Sequence, residues 1–377
     1  MRPRIIATHD FVDHKVSVVP NDTLSPFGFH GVATLSTLAG YKPGQLIGPA
    51  FGASFILART ENDSSETPIE EDNWVAAIEW ADSIGVDVTS TSLGYLTYDP
   101  PYTSWTWQDM NGNTTLITRA ADMAVGKGIV VVNSAGNNGS NPTHNTLNAP
   151  ADGDSVITVG AVTPDGERAA FSSIGPTTSV PPHFKPDVMA TGTVIRCASA
   201  TDPHGYGYQQ GTSFSCPLTA GVAALILHAN PHATPLQVRD MLRSTASQAN
   251  TPDNEMGWGI IDAYRACGLG GDGGLPTGFF IDNSFPNPFP TPSNPSTIIP
   301  FALPVDSHVT ITIFDILGRE VRSLVNQDLR PNGYGAIWNG RNNAGNNVAS
   351  GVYLYRLVAT GVNGQSFTAI KKLTLLR

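Results

Sequence analysis

Short apolar runs rich in valine and isoleucine punctuate the first part of the chain, at Arg4 to Ala7, Ser54 to Ala58, Val86 to Ser90, Ile129 to Asn133 and Val156 to Val162. Segments of helical period lie between them. From Glu70 to Ile84, Trp74, Ala77, Ile78 and Ala81 fall on one helix face, and from Thr114 to Val125 the spacing predicts the same for Leu116, Ala120, Met123 and Ala124. Alternation of strand and helix predicts an α/β fold, a parallel sheet with helices on its faces. A further helix opens at Thr234-Pro235-Leu236-Gln237, where Thr234 supplies the cap, Pro235 suits the first turn and Gln237 completes a capping box. That pattern ends near Ser247.

A glycine-rich break, Gly268 to Gly274, follows. Its GLGGDG string has the letters of a dinucleotide fingerprint, but it follows a helix and opens none, so it reads as linker. Beyond it the period changes to two. His308 to Ile313 alternates strictly, with Val309, Ile311 and Ile313 on one face, and further strand-like runs span Glu320 to Val325, Ala336 to Trp338, Val352 to Val358 and Ser366 to Leu375. Turn residues separate them at Leu317-Gly318, Pro331-Asn332-Gly333 and Asn342 to Asn347. The pattern predicts a small all-β sandwich over 285–377, a linker over 268–284 and an α/β domain over 1–267.

Composition sharpens this picture in few places. A chain of 377 residues is natural for two domains, and 40% hydrophobic residues suffice for large cores. Charged residues make up only 14%, with 38 glycines and 29 prolines, a mix suited to loop-rich α/β and all-β folds. Net charge is −10 and no Lys/Arg cluster interleaves with aromatics, which argues against a nucleic-acid partner. No continuous apolar run reaches the roughly 18 residues that cross a bilayer; the longest, Ala220 to Leu227, has the length of a buried helix segment. The opening MRPRIIATHDF lacks the apolar core of a signal peptide and reads as a strand. Cys197, Cys216 and Cys267 make no disulfide framework; they fit three separate buried thiols, or one pair and a free thiol.

Three segments carry candidate chemistry. Gly211-Thr212-Ser213-Phe214-Ser215-Cys216-Pro217 precedes a long apolar helix. A serine at a helix start sits where unpaired N–H groups and the helix dipole favour developing negative charge, although taken alone it reads as an ordinary N-cap. Gly28-Phe29-His30-Gly31-Val32-Ala33 places a histidine at the start of a short apolar helix, which taken alone is a loop or capping histidine. Val130 to Asn137 is a buried strand ending in Ala-Gly-Asn, able to aim the Asn137 amide into the C-terminal edge of the sheet, where open α/β sheets bind ligands. Taken alone, Asn137 is a turn residue.

In the order His, Asn, Ser, these segments resemble the subtilisin-like (S8) peptidase family. Further matches are Ser92-Leu93-Gly94, Phe171 to Pro176, Lys185-Pro186-Asp187-Val188 and Gly257 to Ala263, so the resemblance runs from about Arg4 to Ala266. Neither a G-x-S-x-G elbow nor a Gly-Asp-Ser-Gly-Gly segment is present. The resemblance implies that Ser213 is the nucleophile, His30 its general base and then acid, and Asn137 with the Ser213 N–H the oxyanion donors. It implies that Ser92, Leu93 and Gly94 bind the substrate backbone as an added strand, that substrates are polypeptides, and that the chemistry needs no metal or cofactor. His228 and His232 lack an accompanying HExxH and read as helix-end residues.

The chain departs from the family pattern at Val32, where His-Gly-Thr is usual, and at Cys216, where a small residue stands in the family; Cys216 is expected to be a buried apolar group. The larger departure concerns an acid. The family carries an aspartate at a strand end ahead of the histidine, and this sequence offers only Asp10, Asp13 and Asp22, none followed by x-Gly. The expectation is that the catalytic strand, and any leader, lie upstream of Met1, that the chain as written is inactive, and that a gap or forced pairing separates the strands at Ser54 to Thr60 and Val86 to Ser92.

The C-terminal part resembles the bacterial secretion-sorting (FlgD Ig-like) domain. The matching segments are Phe285-Pro286-Asn287-Pro288-Phe289, Asn294 to Thr297, Phe314 to Arg319 and Ala349 to Tyr353. That resemblance implies export by secretion machinery and a secreted or surface location; a generic carbohydrate- or protein-binding sandwich is the other reading. For the whole chain a second class stays open, a non-catalytic surface binding protein on the same scaffold. A scaffold that only binds has no chemical need for His30, Asn137 and Ser213 together.

Overall fold

A computed structural model describes residues 4–18, 29–62, 64–141, 143–199, 202, 204–268, 278–284, 287–290 and 296–376. The chain divides into two compact units, Arg2–Cys267 and Gly268–Arg377. In the first, chain order is β1 (Arg4–Asp10), α1 (Phe29–Ala39), β2 (Tyr41–Lys42), β3 (Leu46–Ile47), β4 (Ser54–Arg59), α2 (Ile69–Ile84), β5 (Val88–Thr91), α3 (Leu116–Gly126), β6 (Val130–Ser134), β7 (Ile157–Val162), β8 (Val188–Thr191), β9 (Ile195–Ala198), β10 (Tyr206–Gln209), α4 (Thr212–Ala229), α5 (Pro235–Thr245) and α6 (Ala263–Ala266).

The apolar runs build a parallel sheet in the order β5-β6-β7-β8, with Val88 opposite Val130, Val132 opposite Ile157 and Val159 opposite Val188. Every residue of β6 and β7 is buried, as both faces of a parallel sheet must be. Trp74, Ile78, Ile117, Ala121 and Val131 form a core cluster with residues of α2 and α3. Val132, Val159, Ala220, Ala223 and Leu242 form a second one with α4 and α5.

β1 and β4 pair in parallel in a separate two-stranded sheet, so the expected break between β4 and β5 is present among the described strands. Neither flank of that break is covered like β6: β4 is exposed or half-buried along its length, and of β5 only Thr91 is buried.

Two sequence expectations need correction here. The buried face of α3 is Ile117, Thr118, Ala121, Ala124 and Val125, while Leu116 and Met123 are 37% and 65% exposed. Thr115 caps the helix by accepting from the Thr118 N–H, and its neighbour Thr118 is itself buried on Asp152, which turns the inward face one position on. The second correction concerns α4, which has the length and composition of a membrane span at a mean hydropathy of 1.4, although 61% of it is buried inside the unit. Its small residues Ala220 and Ala223 lie in the core beside β6 and β7, which is the place of a core helix. Its neighbour α5 starts with the expected Thr234 to Gln237 capping box.

The second unit holds two antiparallel sheets. Its strands are β11 (Phe280–Ile281), β12 (Thr297–Leu303), β13 (Ser307–Phe314), β14 (Glu320–Leu329), β15 (Asn332–Trp338), β16 (Gly351–Gly361) and β17 (Ser366–Leu375), ordered β11-β12-β15 and β14-β13-β16-β17. Ile299 and Phe301 of one sheet share a core with Ile311, Ile313 and Leu357 of the other, as in a sandwich. Val309, Ile311 and Ile313 are fully buried, as their alternation predicts. Asn332 and Gly333, read as a turn, instead open β15 opposite Leu303 and Ala302. β11 lies inside the segment read as linker, with Ile281 in the core. Residues 269–277 of the linker, and Phe285, Pro286, Asn294 and Pro295 of the sorting-like motifs, lie outside the described residues.

Candidate active site

Ser213 is the second residue of α4, and the helix starts where the chain leaves Gly211 at a φ of 141°. Only glycine adopts that backbone without strain. A Cβ at Gly211 would lie 3.5 Å from Asn137 Nδ2 and 3.7 Å from the Ser213 nitrogen, so both N–H donors border the same small space. The Asn137 amide has a fixed orientation: the Thr212 N–H and hydroxyl donate to its Oδ1 at 2.9 and 3.0 Å. Asn137 is exposed, so with its oxygen held by Thr212 the NH2 group is the end it presents. The Gly136 N–H donates to the Thr212 hydroxyl at 3.3 Å, tying the end of β6 to the start of α4.

Pro217, inside α4, has no N–H to donate to the Ser213 carbonyl four residues earlier. The Ser92 hydroxyl takes that place, donating to the Ser213 carbonyl at 2.7 Å, and the Ser213 hydroxyl donates in return to the Ser92 carbonyl at 3.4 Å. The segment from Ser92 to Gly94 is thereby held beside Ser213. From below, the Asn133 amide donates to the Leu93 carbonyl at 3.2 Å. The Cys216 thiol lies within 3.3 Å of the Thr91 carbonyl and 3.4 Å of the Val132 carbonyl. It is fully buried, and burial pushes its pKa up to about 12, so it stays a neutral thiol. All three cysteines are free thiols; Cys197 and Cys216 are buried and Cys267 is half-buried.

His30 is exposed at the start of α1, and its ring centroid stands 6.2 Å from that of Phe214, the residue after Ser213. α1 packs beside β9, where the Ala198 N–H donates to the Ser36 hydroxyl. The structure thus brings Ser213 together with Asn137 and Ser92, and sets His30 beside Phe214. His228 stands in the last turn of α4, and His232 in the turn before α5, as expected.

Of the acids ahead of His30, Asp10 is fully buried at the end of β1 and already engaged. It accepts from the Val12 and Asp13 N–H groups and from Arg59, each at 3.0 Å. Burial pushes its carboxyl pKa up, but these hydrogen bonds and the Arg59 charge outweigh burial and hold it below the usual range. Asp13 pairs with Lys15 and Arg59. Asp22 lies outside the described residues. Among the described residues no cluster of His, Cys, Asp or Glu could hold a metal ion. Thr212, which fixes the Asn137 amide, is a residue that sequence reasoning passed over; it sits within the Gly-Thr-Ser motif and could have been found there.

A serine at a helix start over the C-terminal edge of a parallel sheet, faced by an outward-turned amide, is the layout of an α/β serine hydrolase. The model of Peptidase_S8, the subtilase family, matches residues 3–259, and the chain belongs to that family. It is 37% identical over 237 residues to Subtilisin NAT of Bacillus subtilis subsp. natto, covering 61% of this chain and 54% of that protein. It is 38% identical over 255 residues to Subtilisin of Bacillus pumilus, covering 66% of this chain and 82% of that one. The chain thus spans about half the length of several curated relatives it matches. Among solved structures, the MycP3 protease of the type VII (ESX-3) secretion system superposes with a TM-score of 0.56 at 22% identity, over 70% of this chain and 78% of that one. A cold adapted subtilisin-like serine proteinase superposes at 0.51 with 25% identity, over 69% and 82%.

Proposed function

We propose that this protein is a serine endopeptidase that cleaves polypeptides through an acyl-enzyme. The observation that carries the reading is that the Ser213 N–H and the Asn137 NH2 border one space beside Gly211, the former on the residue whose hydroxyl reaches the Ser92 carbonyl. In this reading the Ser213 Oγ attacks the scissile carbonyl carbon while its proton passes to His30. The negative oxygen of the tetrahedral intermediate accepts from Asn137 Nδ2 and the Ser213 N–H. His30 then gives its proton to the leaving amine, and water repeats the sequence on the acyl-serine. The carbonyl and N–H groups of Ser92 to Gly94 pair with the substrate backbone as an added strand, so recognition rests largely on the main chain.

An imidazole needs a carboxylate to hold its tautomer, and Asp10 is committed to its own turn. We propose that an extended segment carrying that aspartate seats between β4 and β5, where both strands are left in separate sheets. The second unit is proposed to act in export, which puts the peptidase in the secreted or surface-displayed class. The test is casein cleavage by the complete gene product. Ser213→Ala is expected to abolish it with the fold intact by circular dichroism; cleavage at an unchanged rate would remove Ser213 from the chemistry.

A further inference from the structure

We propose that the free edge of β15 is a self-association surface, at which two copies of this chain pair their β15 strands antiparallel about a two-fold axis at Gly335. The inference goes beyond the peptidase reading and stands independently of it.

β15 ends its sheet: the order is β11-β12-β15, with Pro300 opposite Gly335 and Ile298 opposite Ile337. The Pro300 carbonyl accepts from the Asp282 N–H at 2.8 Å, so it points towards β11 and away from β15. In an antiparallel ladder, a residue whose main-chain groups point away from the neighbouring strand faces one whose groups also point away. Gly335 therefore turns its N–H and carbonyl to the open side of β15, and Gly333 and Ile337 share that sense by the period of two. Gly335 is exposed and Ile337 is 62% exposed. Among the described residues none pairs with the main chain of Gly335 or Ile337 on that side.

Open strand edges invite pairing, and folds blunt the ones they keep apart. The other edges of this unit are blunted. β11 is 2 residues long, and the side of β12 beyond it carries Pro300. β14 has register shifts along β13 and carries Glu320, Arg322 and Asp328. β17 carries Lys371 and Lys372, and its end is covered where the Phe289 N–H donates to the Thr374 carbonyl at 3.0 Å. β15 has none of these devices: it holds no charged residue, no proline and no register shift.

The occupant that fits this edge is its own copy. Gly333 and Ile337 lie symmetrically about Gly335, so a second β15 with Gly335 opposite Gly335 sets each Ile337 against Gly333 of the other copy. The three residues then exchange both of their main-chain hydrogen bonds, about six in all. Each isoleucine meets a glycine, which leaves it room, and a close approach of another backbone is a use of glycine within a strand. A Cβ on Gly335 would fall 2.9 Å from Ile298 Cγ2, so Ile298, itself 45% exposed, lines the same outer face beside the seam. The seam is uncharged, which lets two copies of a chain of net charge −10 approach there. An edge of this length covers less than the roughly 1,200 Å² of a standard interface, so the dimer is expected to be weak and to dissociate on dilution. The two-fold axis uses up both edges and stops the pairing at two copies.

The test is sedimentation velocity of the complete gene product carrying Ser213→Ala, to exclude self-digestion, over a dilution series from about 200 μM, a range suited to a small interface. A reversible monomer–dimer equilibrium is expected. Ile337→Lys puts like charge into the seam twice at an exposed position, and is expected to raise the dimer dissociation constant about tenfold or more with the melting temperature unchanged. Gly335→Cys reads the geometry separately, because hydrogen-bonded residues across the seam stand about 5.5 Å apart at Cα, within disulfide reach. Mild oxidation is expected to crosslink Gly335→Cys as a dimer, and to leave the wild type and Thr368→Cys, exposed on β17, as monomers on a non-reducing gel. A monomer throughout the series with no Gly335→Cys crosslink overturns the proposal. A dimer that Ile337→Lys leaves intact overturns it as well, since the contact then lies elsewhere. A chain that stays monomeric but binds another polypeptide through this edge, with binding lost in Ile337→Lys, gives the edge to a different occupant and overturns self-pairing. None of these outcomes bears on Ser213.

Discussion

The Ser213 carbonyl loses its helical donor to Pro217 and regains one from Ser92, so a single proline inside α4 explains why the strand-end segment is bound to the nucleophile rather than merely near it. Thr212 does the corresponding work for Asn137. Removing the Asn137 amide takes away a donor that acts chiefly on the transition state, so Asn137→Ala is expected to lower kcat by about 10²–10³, a size itself measured on subtilisin, with KM little changed. Steady-state kinetics on a peptide p-nitroanilide checks this; a rise in KM at constant kcat would place Asn137 in ground-state binding.

Glu61 gives a pH signature at the same scale. Burial, opposed by hydrogen bonds from Tyr95 at 2.6 Å and Thr60 at 2.8 Å and reinforced by the charges of Glu70 and Glu66, raises its pKa to about 7. A carboxyl whose folded pKa is raised binds its proton more tightly in the native state, so its contribution is fully present below the unfolded value and is lost as pH rises towards 7. The melting temperature is expected to fall between pH 5 and pH 8, and Glu61→Gln is expected to flatten that slope. An identical slope in the variant would assign the dependence to other groups.

Among the elements, β6 and β7 are finished parts of a parallel sheet and β4 and β5 are not. If an extended segment belongs between β4 and β5, their facing amides are open in this chain. Hydrogen exchange is expected to be faster in β4 and β5 than in β6 and β7 by orders of magnitude. Equal protection across all four strands would mean the break is closed by something else in the chain. The sequence reading succeeded where one signal dominated, as in the uniform apolar runs of β6 and β7 and the strict alternation of Val309, Ile311 and Ile313. It failed where context decided. In α3 a buried threonine pair turned the face away from Leu116 and Met123. Asn332-Gly333, which argues for a turn, hid the first half of β15, whose Ala336 to Trp338 run alone was read as strand, while pairing with Ala302 and Leu303 overrode the turn signal. Ser213 and Asn137, which the structure brings together, lie in motifs that are local in sequence, whereas the packing of Asn148 against Gly94 and Gly136 comes from two other segments and leaves no local signal.

At the scale of the whole molecule, the first unit carries the subtilase fold and the second is a sandwich with its own core, in which Phe289 of the sorting-like motif is fully buried against Trp338 at 5.3 Å between ring centroids. A core of its own is what lets a C-terminal unit be appended to an enzyme without sharing its chemistry, and everything proposed for catalysis here depends on the first unit alone. The central claim is that Ser213 is an activated nucleophile. The most direct measurement is labelling of the complete gene product with a fluorophosphonate probe, followed by peptide mapping of the modified residue. The account predicts a single adduct on Ser213, lost in His30→Ala; no adduct, or one on another serine with Ser213 unmodified, would contradict it.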